Sequence, residues 1–216
     1  SSLNISFNRN TVKKLYSDLN YFYADGPGNP TTAYIVKEGE AIGSMFGFIF
    51  DGVYQLDEFV YDASKPYEEL VNITPASGGY DLKPGGLTRT GTRVLPGGIK
   101  FKDIQGRNEN GELTGQPDGK INDDDRTIIG NANPKFHGGF SNDFTYKNFD
   151  LSVFLNYSYG NDIYNKNLFP SLSMDVPFRN ALARSLNKWT VTNPTNELWG
   201  TTGLPYGGGG GSHSYY

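Results

Sequence analysis

The sequence predicts an all-β fold, because one long hairpin alternates apolar and polar residues, glycine and aromatic residues are abundant, and irregular segments separate short apolar stretches. The hairpin covers 136–159 and turns at Lys147-Asn148. Each strand has about eleven residues, the length with which a tilted strand crosses a bilayer. The pattern fits the wall of a large transmembrane antiparallel β-barrel, with lipid on one side and water on the other. It also fits one sheet of a soluble sandwich.

Alternate positions of the two predicted hairpin strands, 136–146 and 149–159, form two faces of different character. The apolar face collects Phe136, Phe140, Phe144, Tyr146, Phe149, Leu151, Val153, Leu155, Tyr157 and Tyr159. The opposite face collects His137, Ser141, Asp143, Thr145, Asp150, Ser152, Phe154, Asn156 and Ser158. Aromatic residues gather at both ends of the apolar face, which is typical of the interfacial girdles of a barrel and also of cross-strand pairs in a soluble sheet.

Composition excludes several classes of protein. The chain has 216 residues, a net charge of −4 and no cysteine. Because no apolar run reaches the roughly 20 residues of a membrane helix, a helical membrane protein is excluded. The negative charge, without a dense patch of Lys and Arg, argues against nucleic-acid binding. From the start at SSLN and the end in GGGGGSHSYY we expect a sequence truncated at both ends.

The remaining segments predict short strands and long loops. Shorter strands are predicted at 2–8, 33–36 and 44–55. Segments 56–135 and 160–216 are predicted to be long loops, rich in glycine, proline and polar residues. Within the second loop, Asp175 as N-cap and Pro177 near the first helical position predict a helix over about 177–189.

Loop lengths predict a topology. Barrels of the outer membrane have short turns on the periplasmic side and long loops on the extracellular side. The turn Lys147-Asn148 is therefore assigned to the periplasm, and both long loops to the outside. On this basis residues 1–216 form one partial barrel domain.

Several stretches resemble the SusC/RagA family of TonB-dependent outer-membrane transporters. The most specific are IIGNANPKFHGGFSN and YKNFDLSVFLNYSYGNDIYN, and three others are similar: NISFNRNTVKKL, EGEAIGSMFGFIFDGVYQ and KWTVTNPTNELWG. The resemblance touches most of the chain, which looks like a piece from the C-terminal half of the family's barrel.

The resemblance implies a function and partners. It implies a barrel of the TonB-dependent receptor type, closed by an internal plug, in the outer membrane of a Gram-negative, Bacteroidetes-like bacterium. It implies import of an oligosaccharide or peptide, driven by TonB through an N-terminal part that this sequence lacks. It implies a SusD-like surface lipoprotein as a lid over the barrel. We therefore expect an importer, not an enzyme.

In the family that the chain resembles, the stretch after KFKD often has the pattern of a calcium loop, with oxygen ligands at positions 1, 3, 5, 7, 9 and 12. The matching residues are Asp103, Gln105, Asp118, Lys120 through its carbonyl, Asn122 and Asp125. An insertion at 107–117, RNENGELTGQP, interrupts the pattern. Either the insertion loops out and calcium binds, or the stretch is a turn-rich acidic surface loop.

Few residues are candidates for contact with a substrate. Trp189, Trp199 and Tyr206 are candidates for stacking on sugar rings, although such residues more often pack a loop or contact a partner. His137 and His213 are isolated, and without cysteine they predict neither a metal site nor a nucleophile.

The alternative function is a soluble, secreted all-β module that binds glycan through loop aromatics, with calcium as a candidate stabiliser. A third hypothesis, a glycan-processing enzyme, requires a cleft with paired carboxylates, and the sequence offers no convincing pair. The identity of the substrate does not follow from the sequence.

Overall fold

The computed structural model describes residues 1–16, 19–26, 29–60, 81–87, 89, 94, 96–165, 167–173 and 180–200. These residues form an all-β fold of antiparallel sheets, as the sequence predicts. The strands are β1 (Ser2–Ser6), β2 (Tyr21–Gly26), β3 (Asn29–Lys37), β4 (Ser44–Gly47), β5 (Phe50–Val53), β6 (Phe59–Val60), β7 (Asp81–Leu82), β8 (Ile99–Phe101), β9 (Thr127–Asn131), β10 (Phe136–Tyr146) and β11 (Phe149–Tyr159).

The chain divides into two compact units. The first unit comprises Ser1–Gly47 and Ile128–Tyr164. The second unit comprises Phe48–Thr127 and Asn165–Tyr216. Each unit therefore combines two segments that are distant in sequence.

The first unit contains the long hairpin. β10 and β11 have the bounds that the alternation predicts, and they pair along their whole length. β1 pairs with the other edge of β10 and places Leu3 opposite Phe140. Lys147 opens the tight turn with a φ of 55°, a left-handed conformation that costs energy for a residue with a Cβ.

A second sheet has the order β2–β3–β4–β9. The sequence predicts a loop over 9–32 and a short strand at 33–36, whereas the structure has a longer hairpin of β2 and β3 here. Alternation does not reveal β2, because Tyr21, Phe22 and Tyr23 follow one another without a polar residue. Pairing with β3, rather than a periodic pattern, defines this strand.

The prediction of one strand over 44–55 is wrong. The segment forms β4 and β5, which belong to different sheets, and residues 48–49 separate them. The register of β5 is irregular between Phe50 and Val53, where Gly52 has a φ of 98°. This left-handed glycine disrupts the ladder, which is a common role of glycine within a strand.

In the described part of the predicted loop over 56–135 there are four strands, β6 to β9. β5 pairs with β8, and β6 pairs with β7. Such short strands carry too few residues for alternation to be visible, so only their distant partners reveal them.

The helix predicted over about 177–189 is not present in the described part of that segment. Residues 174–179 lie outside the described residues, and Ala183–Asn187 form a 3-10 turn. The chain then becomes extended, because the N–H of Trp189 donates to the carbonyl oxygen of Leu198 at 2.8 Å. A hydrogen bond between residues 189 and 198 therefore takes the place of the next helical turn.

The second unit has a buried core. Its members are Val53, Leu172, Trp189, Leu198 and Trp199. A short α-helix, α1 (Leu168–Ser173), contributes one of them. Nε1 of Trp189 donates to Oε1 of Gln55 at 2.9 Å, which satisfies the polar atom of the buried indole. No helix in the described part of the chain is long and apolar enough to span a membrane.

Candidate functional site

One face of the sheet β1–β10–β11 is apolar apart from Asn142, which lies opposite Val153. Residues directly opposite one another in the antiparallel register share a face, so the register places Leu3 beside Phe140 and Leu155. The side chains of this face that are exposed are Leu3, Ile5, Phe7, Phe144, Tyr146, Phe149, Leu151, Leu155 and Tyr159. Leu151 is 60% exposed and Leu155 is 56% exposed, although both lie in β11, which pairs with β10 along its whole length. The pairing of these two strands is therefore complete, whereas the burial of their apolar side chains is not.

Aromatic rings lie at both ends of this face. At the end remote from the turn, the ring of Phe136 stacks on Tyr159 at 5.1 Å and lies 6.1 Å from the ring of Phe7. At the turn, Tyr146 and Phe149 are opposite each other and exposed. Leu151, Val153 and Leu155 occupy the middle of β11, opposite residues 144, 142 and 140 of β10. Along β11 the order is therefore aromatic, aliphatic and aromatic, which is the arrangement of a strand that crosses a bilayer.

Close packing near one aromatic end depends on glycine. The side chain of Tyr157 crosses Gly138, and its hydroxyl donates to the carbonyl oxygen of Asn4 at 2.9 Å. A Cβ at Gly138 would overlap both the tyrosine ring and that carbonyl. The phenol is thereby held flat on the sheet and its polar atom is satisfied.

The opposite face of the same sheet is polar apart from Phe154, which is 67% exposed. The hydroxyl of Ser152 donates to Asp143 at 2.7 Å across the β10–β11 pair. On the next pair, Oδ1 of Asn4 accepts the N–H of Gly139 at 2.8 Å. His137 is exposed on this face, as the sequence predicts. Water is the natural surrounding of this face, and a non-polar medium is the natural surrounding of the other.

The length of the hairpin matches a bilayer. β10 and β11 have 11 residues each. At about 3.4 Å per residue they extend over roughly 37 Å, and a tilt of about 45° projects this to roughly 26 Å. The apolar band of transmembrane barrels is about 25 Å tall.

In the acidic stretch of the second unit, residues 103–125, the carboxylate side chains accept hydrogen bonds from backbone N–H groups of the same stretch. Both carboxylate oxygens of Asp103 accept backbone N–H groups, from Asp118 at 3.2 Å and from Gly119 at 2.7 Å. The structure therefore brings position 103 next to position 118 although an insertion lies between them. The insertion closes upon itself, with Arg107 bridged to Leu113, and it loops out as one of the two hypotheses requires.

Asp125 is the buried centre of this stretch. It is fully buried, and Oδ1 accepts the N–H groups of Ile104 at 2.9 Å and Gln105 at 3.2 Å. Oδ2 accepts the N–H of Asn122 at 2.8 Å. The side chain of Asn122 accepts the N–H of Asp124 at 2.7 Å and caps the short turn that follows. These bonds join the two halves of the interrupted pattern.

The donor set fits a hydrogen-bonded turn better than a calcium site. Calcium needs six to eight oxygens directed at one point. Here the oxygens of Asp103 and Asp125 bind N–H groups, and the side-chain nitrogen of Gln105 donates to the carbonyl of Asp124. In the part of the chain that the structure describes, no three His, Cys, Asp or Glu side chains converge as metal ligands do. Calcium binding stays a prediction, and no step is derived through it.

The tryptophans named as candidates for sugar stacking lie in the core of the second unit. Trp189 is 6% exposed and Trp199 is 8% exposed, so their faces pack against protein. Tyr206 lies outside the described residues. Sequence reasoning places these residues on a loop surface because the apolar partners that bury them, such as Val53, are more than 100 positions away.

Comparison of the sequence with known proteins finds relatives of the chain. No family model matches the chain. TonB-dependent receptor P3 of Formosa agariphila is 32% identical over 200 residues, which is 92% of the chain and 16% of that protein. TonB-dependent receptor P39 of the same organism is 36% identical over 175 residues, which is 76% of the chain and 15% of that protein.

The chain is related in sequence to TonB-dependent receptors. A third such receptor, P26, is 32% identical over 102 residues. The chain spans only about a sixth of the length of the first two TonB-dependent receptors. The likeness extends across both units, because it covers nearly the whole chain in the first comparison.

Proposed function

We propose that the chain is part of an outer-membrane TonB-dependent importer and that β1, β10 and β11 are strands of its transmembrane wall. The apolar face of this sheet carries the proposal. It leaves large apolar side chains exposed, β10 and β11 pair with each other along a length that matches a bilayer, and aromatic residues lie at both ends. Lipid contact would remove this surface from water, at a gain of about 25 cal/mol per Å².

The edges of the sheet support the same proposal. In the described residues, β1 and β11 each have a neighbour on one side only. An open edge is costly in lipid, because its N–H and C=O groups find no water. The relatives are about six times as long as the matched segment, so a whole protein of that length has chain enough for the neighbouring strands.

We further infer the finer assignments from the resemblance to the SusC/RagA family. The cargo would be an oligosaccharide or a peptide, a SusD-like lipoprotein would cover the outer mouth, and TonB would act through a segment beyond this sequence. The protein would transport and not catalyse. Energy-dependent uptake of labelled oligosaccharide by cells, with and without TonB and the lipoprotein gene, tests these points.

The wall is tested by an arginine on either face of β11. Leu155→Arg puts a charge near the middle of the apolar face, where an arginine at the bilayer midplane costs about 2–4 kcal/mol. Ser152→Arg puts the same charge on the polar face, beside Asp143. We expect Leu155→Arg in the full-length protein to reduce the heat-modifiable, folded fraction in outer membranes, and Ser152→Arg to leave it near wild type.

Two results would contradict the wall. One is an equal effect of both arginines, which would mean that the two faces have the same surroundings. The other is recovery of the wild-type protein as a secreted, detergent-independent species. That result would favour the soluble glycan-binding module.

A further inference from the structure

The insertion at 107–117 forms a hairpin with a defined conformation of its own. The N–H of Asn108 donates to the carbonyl oxygen of Glu112 at 2.9 Å, and the N–H of Gly111 donates to the carbonyl oxygen of Asn108 at 2.9 Å. Oδ1 of Asn108 accepts the N–H groups of Asn110 at 3.0 Å and Glu112 at 2.9 Å. All of these bonds lie within the insertion, so they close the inserted hairpin on itself.

The residues that flank the inserted hairpin lie against each other. A Cβ placed at Gly106 would overlap the side chain of Asp118, so the two flanking residues are in contact. Without the insertion the stretch would read DIQGDGKINDDD, which presents the positions of a calcium loop in their usual order. The inserted hairpin is therefore an addition to an otherwise continuous loop.

Arg107 joins the inserted hairpin to the far half of the acidic stretch. Its Nε donates to Oδ2 of Asp124 at 2.7 Å and its Nη2 donates to Oδ1 of Asp124 at 2.5 Å. Its Nη1 donates to the carbonyl oxygen of Gly111 at 2.7 Å, which fixes the guanidinium on the hairpin. A planar guanidinium with two parallel bonds to one carboxylate is the strong form of an ion pair.

This ion pair does the work that an ion does in a calcium loop. In such a loop the cation draws early and late positions together and balances their carboxylates. Here the carboxylates are those of Asp103, Asp118 and Asp123–Asp125, and Arg107 brings a positive charge to them from the early half. Asp124 is not one of the six ligand positions, so the guanidinium lies at a different place from the ion but makes the same kind of cross-link.

The side chains at the ligand positions have other partners. The carboxylates of Asp103 and Asp125 accept backbone N–H groups. Oδ1 of Asp118 accepts a backbone N–H at 3.0 Å, and Oδ1 of Asn122 accepts another at 2.7 Å. The side-chain nitrogen of Gln105 donates instead of accepting. These side chains are therefore directed at the backbone and not at a common centre.

We propose that Arg107 replaces calcium as the cross-link of residues 103–125, so that the fold of this stretch depends on the guanidinium and not on a metal ion. The disagreement between the sequence pattern and the partners of its side chains carries the proposal. An internal cation is present at every calcium concentration, whereas a bound ion is lost when its concentration falls. The proposal concerns the second unit alone and does not depend on the proposed wall.

Hydrogen exchange of the amides of 103–125 in the full-length protein tests the cross-link. We expect the wild type to exchange at the same rate in millimolar calcium and in excess chelator. Arg107→Gln should exchange about fivefold faster under both conditions, the effect of one partly exposed ion pair. Arg184→Gln, the same change at an exposed arginine of the 3-10 turn at Ala183–Asn187, should exchange like the wild type.

A second substitution separates the ion pair from a general loss of packing. Asp124→Asn removes the other charge of the pair, so it should also accelerate exchange several-fold. The double variant should be no faster than Arg107→Gln, which already lacks the pair. Additive acceleration would show that the two side chains act separately, and it would overturn the cross-link.

Excision of the inserted hairpin tests the replacement of an ion by an arginine. A variant without 107–117 and with Gln105→Asp lacks Arg107 and has an acidic ligand at the third position of the loop. Calorimetry with calcium chloride should show a calcium site that the wild type lacks, with a Kd of about 10⁻³ M or lower, as in extracellular calcium modules. Gln105→Asp with the hairpin retained is the matched control and should not gain this site.

Two results contradict the replacement. One is protection of the amides of 103–125 that increases in the wild type when calcium is added. The other is an excised variant that folds and gains no calcium site. If the excised variant does not fold, the exchange of Arg107→Gln decides, and a wild-type rate in that variant would overturn the proposal.

Discussion

The sheet β1–β10–β11 and the core of the second unit contain similar large apolar residues but differ in how far these residues are buried. In the sheet, large apolar side chains such as Leu155 stay exposed although β10 and β11 pair along their whole length. In the core, Val53 and Trp189 are almost completely buried by segments far apart in sequence. The sheet therefore depends on its surroundings for the burial of apolar surface, and the core of the second unit supplies its own. The stability of the second unit should accordingly depend on its own packing, whereas the stability of the sheet should depend on the medium around it.

Removal of a core tryptophan should have the largest effect. Trp189→Ala deletes a ring that packs in the core and donates to Gln55, and such changes cost about 3–5 kcal/mol. Leu186→Ala, at a position 83% exposed, should change stability by less than about 0.5 kcal/mol. Hydrogen exchange of the full-length protein should show faster exchange in the second unit only. Equal acceleration in 136–159 would break the comparison.

Removal of the buried carboxylate should come next. Asp125→Ala leaves three backbone N–H groups of the acidic stretch without their acceptor, and we expect a loss of roughly 3 kcal/mol. Asp123→Ala is the matched control, because its side chain is 78% exposed and its partner Arg89 lies at 3.5 Å. Urea unfolding followed by exchange of the amides of 103–125 measures both. A similar loss in the two variants would mean that burial of Asp125 does not matter.

Chelation of the wild type, compared with an Asp103→Asn variant, tests calcium binding by the acidic stretch. If the acidic stretch is closed by its own N–H groups, chelation should leave exchange at 103–125 unchanged in the wild type. Protection that depends on calcium, and is lost in Asp103→Asn, would establish the ion that the sequence pattern predicts.

Substitution of Gly97 by alanine should measure how tightly the core packs around Trp189. A Cβ there would overlap the ring of Trp189, and the backbone has a φ of 83°. Gly97→Ala therefore combines overpacking with backbone strain, whereas Gly115→Ala, with a φ of 68° and open space, has the strain alone. We expect the first variant to lose about 1–3 kcal/mol more than the second in thermal unfolding. Equal losses of stability in the two variants would show that the ring of Trp189 shifts to make room for the added methyl group.

The smallest effect should be a gain in the hairpin. Lys147 holds a φ of 55°, so Lys147→Gly relieves a cost of about 1 kcal/mol. Asn148→Gly, at the neighbouring turn position without a positive φ, should give no such gain. Refolding yield into detergent micelles compares them. A loss of yield for Lys147→Gly would mean that the ammonium, which lies 5.3 Å from the ring of Tyr146, matters more than the backbone.

Sequence and structure agree where a pattern is local. The bounds of β10 and β11 follow from alternation, because in a strand successive side chains point to opposite faces and the pattern needs no distant partner. They disagree where structure depends on contacts. β2 has no alternation, the segment 44–55 divides into β4 and β5, and a 3-10 turn stands at Ala183–Asn187 in place of the predicted helix.

The candidate sites divide in the same way. The apolar face and its aromatic ends follow from the sequence alone, since one register places them together. The closure of Asp103 on Asp118 and Gly119 follows only from the structure, because an insertion separates them. The burial of Trp189 and Trp199 is likewise tertiary.

By itself the sequence determined an all-β chain with one hairpin of bilayer length, a polar face and an apolar face, and a likeness to TonB-dependent receptors. Only the tertiary structure decided which aromatic residues are buried and which carboxylates bind backbone N–H groups. The physical reason is the range of the interactions. Side-chain alternation repeats every two residues along one strand, whereas the core of the second unit forms only when segments more than 100 residues apart in sequence, such as Gln55 and Trp189, come into contact.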